Sequence, residues 1–332
     1  MRNLTLRQLR SVQAIVRHRT IAAAARQLGL TAPAVTLQIK QLEDDVGLPI
    51  FTRTHDGMRL TAAGSAVLNA ANAVETSLRA MADEVGAIKG VRSGMIRLGA
   101  VSTAKYFAPR LIAAFRQSFP DIEIKLTVGN RLAIVADLKA YESDIALMGR
   151  PPVDFPVTAT FFGDHPLVMI APPDHPLAAE RDISRERLLQ ETIIIREPGS
   201  GTRSSLEVFF AERTGGLEAA SAEMGSNETI KQAVMAGLGI AFISAHTIAF
   251  EVEMGRLVIL DVADMPIRRA WYGVSRRERM TAPAELAFMD FLVKRGARHL
   301  PLIDRLYPAE MPGDVDPHSP GFTPVSRSGT LA

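Results

Sequence analysis

A chain of 332 residues with 47% hydrophobic content is long enough for two or three packed domains, and its lack of cysteine excludes a disulfide framework and a thiolate metal site. The net charge of +2 conceals an asymmetry: residues 1–60 hold nine Lys/Arg against four acids, a net of +5, and the remainder carries −3. A polyanion partner fits the first part only, although charge by itself reads more readily as a solvated basic face; with no apolar leader and no run of membrane-spanning length, a cytoplasmic protein is expected.

Leu6, Leu9, Val12 and Val16 give helical spacing over Thr5–His18. Two short helices follow in Thr20–Leu42. Thr20 is a candidate N-cap, Gly29 suits a left-handed helix end, and Leu30 is expected to pack inward. Thr31 caps a second helix with Pro33 in its first turn, and Val35, Ile39 and Leu42 form one apolar stripe. Two helices joined by a tight Gly-containing turn are a helix-turn-helix, whose second helix enters the DNA major groove. Leu48, Ile50 and Phe51 are expected to close this core. The segment FTRTHDGMRL (Phe51–Leu60) reads as a hairpin or wing flanked by Arg53 and Arg59.

Thr61 is expected to cap a long helix. Within it, Leu60, Gly64, Val67, Ala71, Val74, Leu78, Met81, Val85 and Ile88 alternate spacings of four and three, a heptad seam suited to pairing two chains, with small Gly64 and Ala71 permitting close approach. The alternative is an amphipathic helix lying on its own domain. Gly86, Gly90, Ser93 and Gly94 mark a hinge.

The pattern then becomes α/β. Strands are predicted at Met95–Val101, Ile122–Val128, Ser143–Met148, Leu167–Ala171, Thr192–Arg196, Gly239–Ser244 and Arg268–Ser275. Helices are predicted at Ala104–Phe119, Leu132–Ala140, Ser204–Arg213, Glu228–Ala236 and Ala284–Arg295. This order implies parallel sheets in two lobes, with ligands at the carboxyl ends of strands. Ser102 and Thr103, Gly129 and Asn130, and the Gly199–Arg203 loop all sit there. Asn227 is either a helix cap or a ligand contact, and Arg150 lies near the expected hinge between lobes. From Pro301 the Pro, Gly and Ser content suggests a flexible tail. Catalysis has little support: the histidines lack zinc-ligand spacing, no nucleophile elbow or phosphate-binding loop is present, and Asp144 reads as a structural or cleft-edge residue.

The run AAAARQLGLTAPAVTLQIKQLEDDVGLPIF (Ala22–Phe51), Arg53 and LTAAG (Leu60–Gly64) resemble the LysR-type bacterial transcription regulators over residues 1 to about 300. Thr36 stands where that family often has Ser, and Leu37 where a polar or basic residue is frequent, which removes one possible base or phosphate contact. The resemblance implies a mixed fold: a winged helix-turn-helix at 1–60, a linker helix at 61–92, and a two-lobed α/β effector-binding domain at 93–300 similar to periplasmic binding proteins. Lobe I would span about 93–163 and 267–300, lobe II about 164–266, and the tail 301–332. It also implies homodimers associating as tetramers, a double-stranded DNA operator of approximate dyad symmetry, RNA polymerase as a further contact, no membrane partner and no enzymatic activity.

DNA would be met by Thr31, Pro33, Ala34, Thr36, Gln38, Lys40 and Arg53, with Pro33 and Ala34 near a thymine methyl, Thr36 and Gln38 on base edges, and Lys40 and Arg53 on phosphate or the minor groove. An effector would be met by Ser102, Thr103, Gly129, Asn130, Arg150, Gly201, Thr202, Arg203 and Asn227. The segments Gly99–Arg131 and REPGSGTR (Arg196–Arg203) are similar to the subgroup governing Calvin-cycle operons, RuBisCO genes included. That subgroup implies no bound cofactor but a phosphorylated metabolite or NADPH as signal. The alternatives are regulation of another metabolic operon and, more distantly, an α/β solute-binding or enzymatic protein with a dimerising helical N-terminus.

Overall fold

The computed structural model describes residues 4–88, 94–211, 221–278 and 280–301, which fall into two compact units. Gly90 and Ser93 of the expected hinge, the end of the helix expected to reach Arg213, and the expected tail beyond residue 301 lie outside the described residues.

In the first unit, α1 (Leu6–His18) starts in a capping box: Thr5 Oγ1 accepts from Gln8 N–H at 3.3 Å, and Gln8 Oε1 accepts from Thr5 N–H at 2.8 Å. Thr20 caps α2 (Ile21–Leu28), and Thr31 caps α3 (Ala32–Val46). Gly29 at φ +66° ends α2, a left-handed conformation that a Cβ disfavours. The three helices bury Leu9, Val12, Ile15, Val35, Ile39 and Leu42. Three expectations fail here. Leu6, Leu30 and Leu48 are exposed, while Ile15, Ile50 and Phe51 fill the space between the helices. Leu9, Val12 and Val16 of the expected α1 stripe pack on this core, and only Leu6, in the first turn, lies outside it.

The hairpin of β1 (Phe51–Thr54) and β2 (Gly57–Leu60) pairs Arg53 with Met58 across the ladder. Its turn docks on the α1–α2 corner, where Met58 N–H donates to the Arg19 carbonyl at 2.8 Å. Thr61 Oγ1 caps α4 (Ala62–Ile88) by accepting from Gly64 N–H at 2.9 Å. The expected seam splits into two halves. Gly64, Val67 and Ala71 pack on this unit's own core, and a Cβ on Gly64 would lie 2.1 Å from the Ile50 carbonyl oxygen. The small residues thus admit α4 to its own domain. Val74, Met81 and Val85 remain exposed. Gly86, placed in the expected hinge, is helical.

The second unit carries a nine-stranded sheet. Its first part holds β3 (Gly94–Val101), a 3₁₀ turn at Ala104–Tyr106, α5 (Ala108–Ser118), β4 (Ile122–Gly129), α6 (Arg131–Lys139) and β5 (Ile145–Met148). Then follow β6 (Val157–Ala171), α7 (Arg185–Leu188), β7 (Ile193–Arg196), α8 (Gly201–Phe209), β8 (Ser221–Met224), α9 (Asn227–Met235), β9 (Ile240–Ser244), α10 (Ala249–Glu253), β10 (Val258–Ile259), β11 (Ile267–Arg276) and α11 (Pro283–Arg295). The spatial order is β4-β3-β5-β11-β6-β9-β7-β8, with β10 also on β6.

β3, β4 and β5 pair in parallel, as do β7, β8 and β9, so each lobe is a parallel sheet with helices on its faces. Lobe I packs Ile96, Leu98, Phe107, Phe115, Phe288 and Leu292 into one core. Lobe II divides by the two-residue strand period. Leu167, Met169, Ile193 and Ile195 face α8, whereas Val168, Ile170 and Ile194 face α9. The long antiparallel strands β6 and β11 join the lobes, with an irregularity between Trp271 and Tyr272. β6 begins ten residues before the expected strand, and β8 was not foreseen. No helix among the described residues is long and apolar enough to cross a membrane.

Candidate functional site

Two surfaces carry the residues singled out in the sequence. The first is the outer face of α3. Thr31 Oγ1 accepts from Ala34 N–H at 3.4 Å and so acts as a cap. Pro33, Thr36, Leu37 and Lys40 are exposed, and Ala34 and Gln38 are half-buried. Internal bonds limit what the polar members offer. Thr36 Oγ1 donates to the Ala32 carbonyl at 3.0 Å, which leaves it acceptor capacity but no free proton. Gln38 Oε1 accepts from Ser11 Oγ at 2.5 Å, which leaves its NH₂ group to meet a partner. Arg53 and Arg59 lie exposed on the hairpin. Among the described residues Arg10 pairs with Glu75, whereas Arg7, Arg17, Lys40, Arg53 and Arg59 form no ion pair. Leu37, read from the sequence as a lost contact, is 55% exposed.

The second surface is the wall between the lobes. Ser102 and Thr103 follow β3 as expected, but they open a three-residue 3₁₀ turn, not a long helix. Pro109 in the first turn of α5 accounts for the restart. The dipole expected at that helix start is therefore small. Across from it stands Arg196, which sequence reasoning passed over; it is 2% exposed. Its Nε and Nη2 donate to Glu197 at 2.7 and 2.8 Å, Nη1 donates to Asn227 Oδ1, and Nη2 also reaches Ser102 Oγ at 3.1 Å. Four of its five N–H donors are thus engaged, and its charge is matched by Glu197. Asn227 Nδ2 donates to Thr103 Oγ1 at 3.4 Å. Ser226, not Asn227, is the cap of α9, and the Asn227 side chain links Arg196 to Thr103. The sequence signal for Arg196 was a lone cation ending the apolar run TIII.

At the rim, Tyr106 OH donates to Glu228 Oε2 at 3.2 Å. Lys231, 3% exposed, lies 4.8 Å above the Tyr106 ring and pairs with Glu251 at 2.6 Å and Glu228 at 3.0 Å. Burial first, then the negative charge of Glu228, holds the Tyr106 phenol above its ordinary range, so it remains a donor. Lower in the wall, Leu132 N–H donates to the Gly199 carbonyl at 3.2 Å. Asn130 Oδ1 accepts from Ala133 N–H at 2.9 Å and caps α6, beside Gly129. Thr202 is buried and Gly201 half-buried at the start of α8. Arg203 turns toward Glu207 and Glu223, at 2.8 and 2.7 Å, and supports the Arg196 carbonyl from behind. Arg150 is exposed; its carbonyl accepts from Arg131 at 3.3 Å. The structure therefore gathers Ser102, Thr103 and Asn227 around Arg196, sets Gly129 and Asn130 near the Gly199–Thr202 loop, and leaves Arg150 and Arg203 at the margins.

Where β6 and β11 connect the lobes, His165 stacks on Trp271 with ring centroids 4.0 Å apart, and Trp271 Nε1–H donates to His246 Nδ1 at 3.0 Å. That bond places the His246 proton on Nε2. Neither His165 nitrogen nor His246 Nε2 has a partner among the described residues. Burial holds His246 down to about 4 and also holds His165 well below the ordinary imidazole range, with His246 and Arg269 adding to the latter. Asp144 is a structural residue: it bonds the Arg97 guanidinium at 2.6 Å and the Arg97 N–H at 2.7 Å. No group of three or more His, Asp or Glu that could hold a metal occurs among the described residues.

Residues 6–65 match the model for bacterial regulatory helix-turn-helix proteins of the lysR family, and residues 89–297 match the LysR substrate binding domain. The HTH-type transcriptional regulator CbbR of Sinorhizobium medicae (strain WSM419) is 59% identical over 309 residues, 93% of this chain and 99% of its own. The RuBisCO operon transcriptional regulator of Allochromatium vinosum is 46% identical, covering 89% of this chain and 98% of its own. Among solved structures, the Synechocystis PCC6803 CcmR regulatory domain in complex with 2-PG superposes with a TM-score of 0.56 at 36% identity, over 60% of this chain and 96% of its own.

Proposed function

The chain belongs to the LysR family of DNA-binding transcriptional regulators, and we propose that it controls carbon-fixation genes, the RuBisCO operon among them, in response to a small anionic metabolite. It is a regulator and not an enzyme. Near-full-length similarity to relatives named as RuBisCO operon regulators carries the assignment to carbon fixation. The interlobe wall supports the class of signal. Arg196, Ser102, Thr103 and Asn227 form a polar network that links the two lobes. An anion with several oxygens could take the place of Glu197 on the guanidinium and share Ser102 with it.

Closure of the lobes and effector binding are then coupled by differential affinity for two lobe arrangements, and the readout is a changed spacing of paired DNA-reading helices. The exposed half of α4, with Met81 50% and Val85 44% accessible, supports pairing of two chains through that segment. DNA would be met by the exposed part of α3 and by Arg53.

The test is a gel-shift and footprint with the full chain on the fragment upstream of the RuBisCO genes, with and without 2-PG or a sugar phosphate. The expected result is retention at low salt and a footprint that changes with the added anion. Retention of other operon fragments in preference would reassign the target. Indifference of the footprint to every anion would remove the assignment of signal class.

A further inference from the structure

Successive residues on an α-helix turn by about 100°, so the line opposite the buried stripe of α3 is fixed by arithmetic. Val35, Ile39 and Leu42 point inward. The opposite line carries Pro33, Leu37, Lys40 and Asp44. Pro33 and Leu37 stand one turn apart there, and Leu37 has more than half its surface open. A single exposed leucine on an ordinary surface needs no explanation. This one occupies the outermost position of the helix that follows the turn, and the cations nearest in sequence and on the hairpin, Lys40 and Arg53, have no ion-pair partner among the described residues. Its polar neighbours are partly engaged, the Thr36 proton with Ala32 and the Gln38 oxygen with Ser11. The first two turns therefore present mostly carbon to whatever polyanion the free cations attract.

In the major groove of DNA the apolar feature is the thymine C5-methyl, which also distinguishes T·A from A·T and from C·G. We propose that Leu37, with Pro33 beside it, reads a thymine methyl in each half-site by hydrophobic contact. This inference rests on α3 being the DNA-reading helix. It places sequence choice on a side chain with no hydrogen-bonding atom and leaves Thr36 and Gln38 a smaller part.

The decisive experiment uses the full chain and the duplex it retains most tightly from a random pool. Each thymine is replaced in turn by uracil, which removes only the methyl group. At one thymine per half-site the wild type is expected to lose about fourfold in affinity, the worth of one buried methyl. Leu37→Ala is expected to bind the same duplex more weakly with an unchanged salt slope and to be indifferent to that swap. Leu37→Met should retain the discrimination. Introducing 5-methylcytosine in a duplex where cytosine replaces that thymine should restore part of the affinity for the wild type only. A wild type indifferent to every thymine-to-uracil swap would overturn the proposal, as would Leu37→Ala remaining equally sensitive at the same base. Sequence-specific binding that ignores methyl groups defeats this inference alone, whereas failure to select any duplex defeats the DNA-reading assignment of α3 with it.

Discussion

The cations around the interlobe wall and those on α3 and the hairpin are held in opposite ways. In the α/β body, Arg97, Arg185, Arg187, Arg196, Arg203 and Lys231 each face a carboxylate of the same unit, at 2.6 to 2.8 Å. In the N-terminal unit, Arg7, Arg17, Lys40, Arg53 and Arg59 have no such partner among the described residues. A paired, buried cation is part of the fold, because removing it strands the carboxylate. An exposed, unpaired cation contributes little to folding and keeps its charge for phosphates, whose counterions it releases on binding. The contrast sets the paired cations of the body, Arg196 and Lys231 the most buried, apart from the exposed cations of α3 and the hairpin.

Substitutions can break or sharpen that contrast. The largest effect is expected at Arg196. Arg196→Met leaves Glu197 without its cation and Asn227 and Ser102 without their donor, and should destabilise the body by about 3–5 kcal/mol. That corresponds to a fall of roughly 10 °C in its thermal transition. A transition moved by only a degree or two would mean that the network is dispensable for folding.

The next effect concerns buried groups kept neutral. His246 is held down to about 4 in the folded chain, so between about 6.5 and 4 the unfolded chain takes up a proton that the folded chain refuses. Its contribution to stability is complete above about pH 6.5 and is lost as the pH falls toward 4. His246→Gln keeps an acceptor for Trp271 and cannot titrate. Urea unfolding at pH 8 and at about pH 4.5 should show the variant losing about 2–3 kcal/mol less than the wild type. Parallel losses would remove His246 as the source.

The smallest effect falls on the free cations. Arg53→Ala should leave the thermal transition in place and make the salt dependence of DNA binding shallower by about 0.9 in logarithmic slope, the signature of one lost phosphate contact. If Arg53→Ala melts early, as Arg196→Met should, the contrast between the units fails.

Much of the N-terminal unit was legible because its signals are local. Thr20, Thr31 and Thr61 cap the helices they announce, and Gly29 ends α2. Where burial depends on distant packing, spacing misled. Leu30 and Leu48 are exposed although both flank apolar runs. The seam of α4 shows why: spacing identifies a helix face but not what covers it, and the half containing Gly64 and Ala71 is covered by its own domain. β6 extends back to Val157 because β11 pairs with it along nearly its whole length, an antiparallel partner more than a hundred residues away. At the interlobe wall, Ser102, Thr103 and Asn227 were visible as polar residues at strand or helix ends. Arg196 was not, since nothing local tells that an arginine after three isoleucines points inward to meet residues of the other lobe.

Trp271 is the only tryptophan in the chain, and it lies on β11, one of the two strands that connect the lobes, stacked on His165 of β6 and bonded to His246. His246 follows β9 of lobe II, so the bond ties β11 to that lobe. The molecule therefore carries its own optical gauge: indole emission reads the packing of this junction in the unlabelled protein.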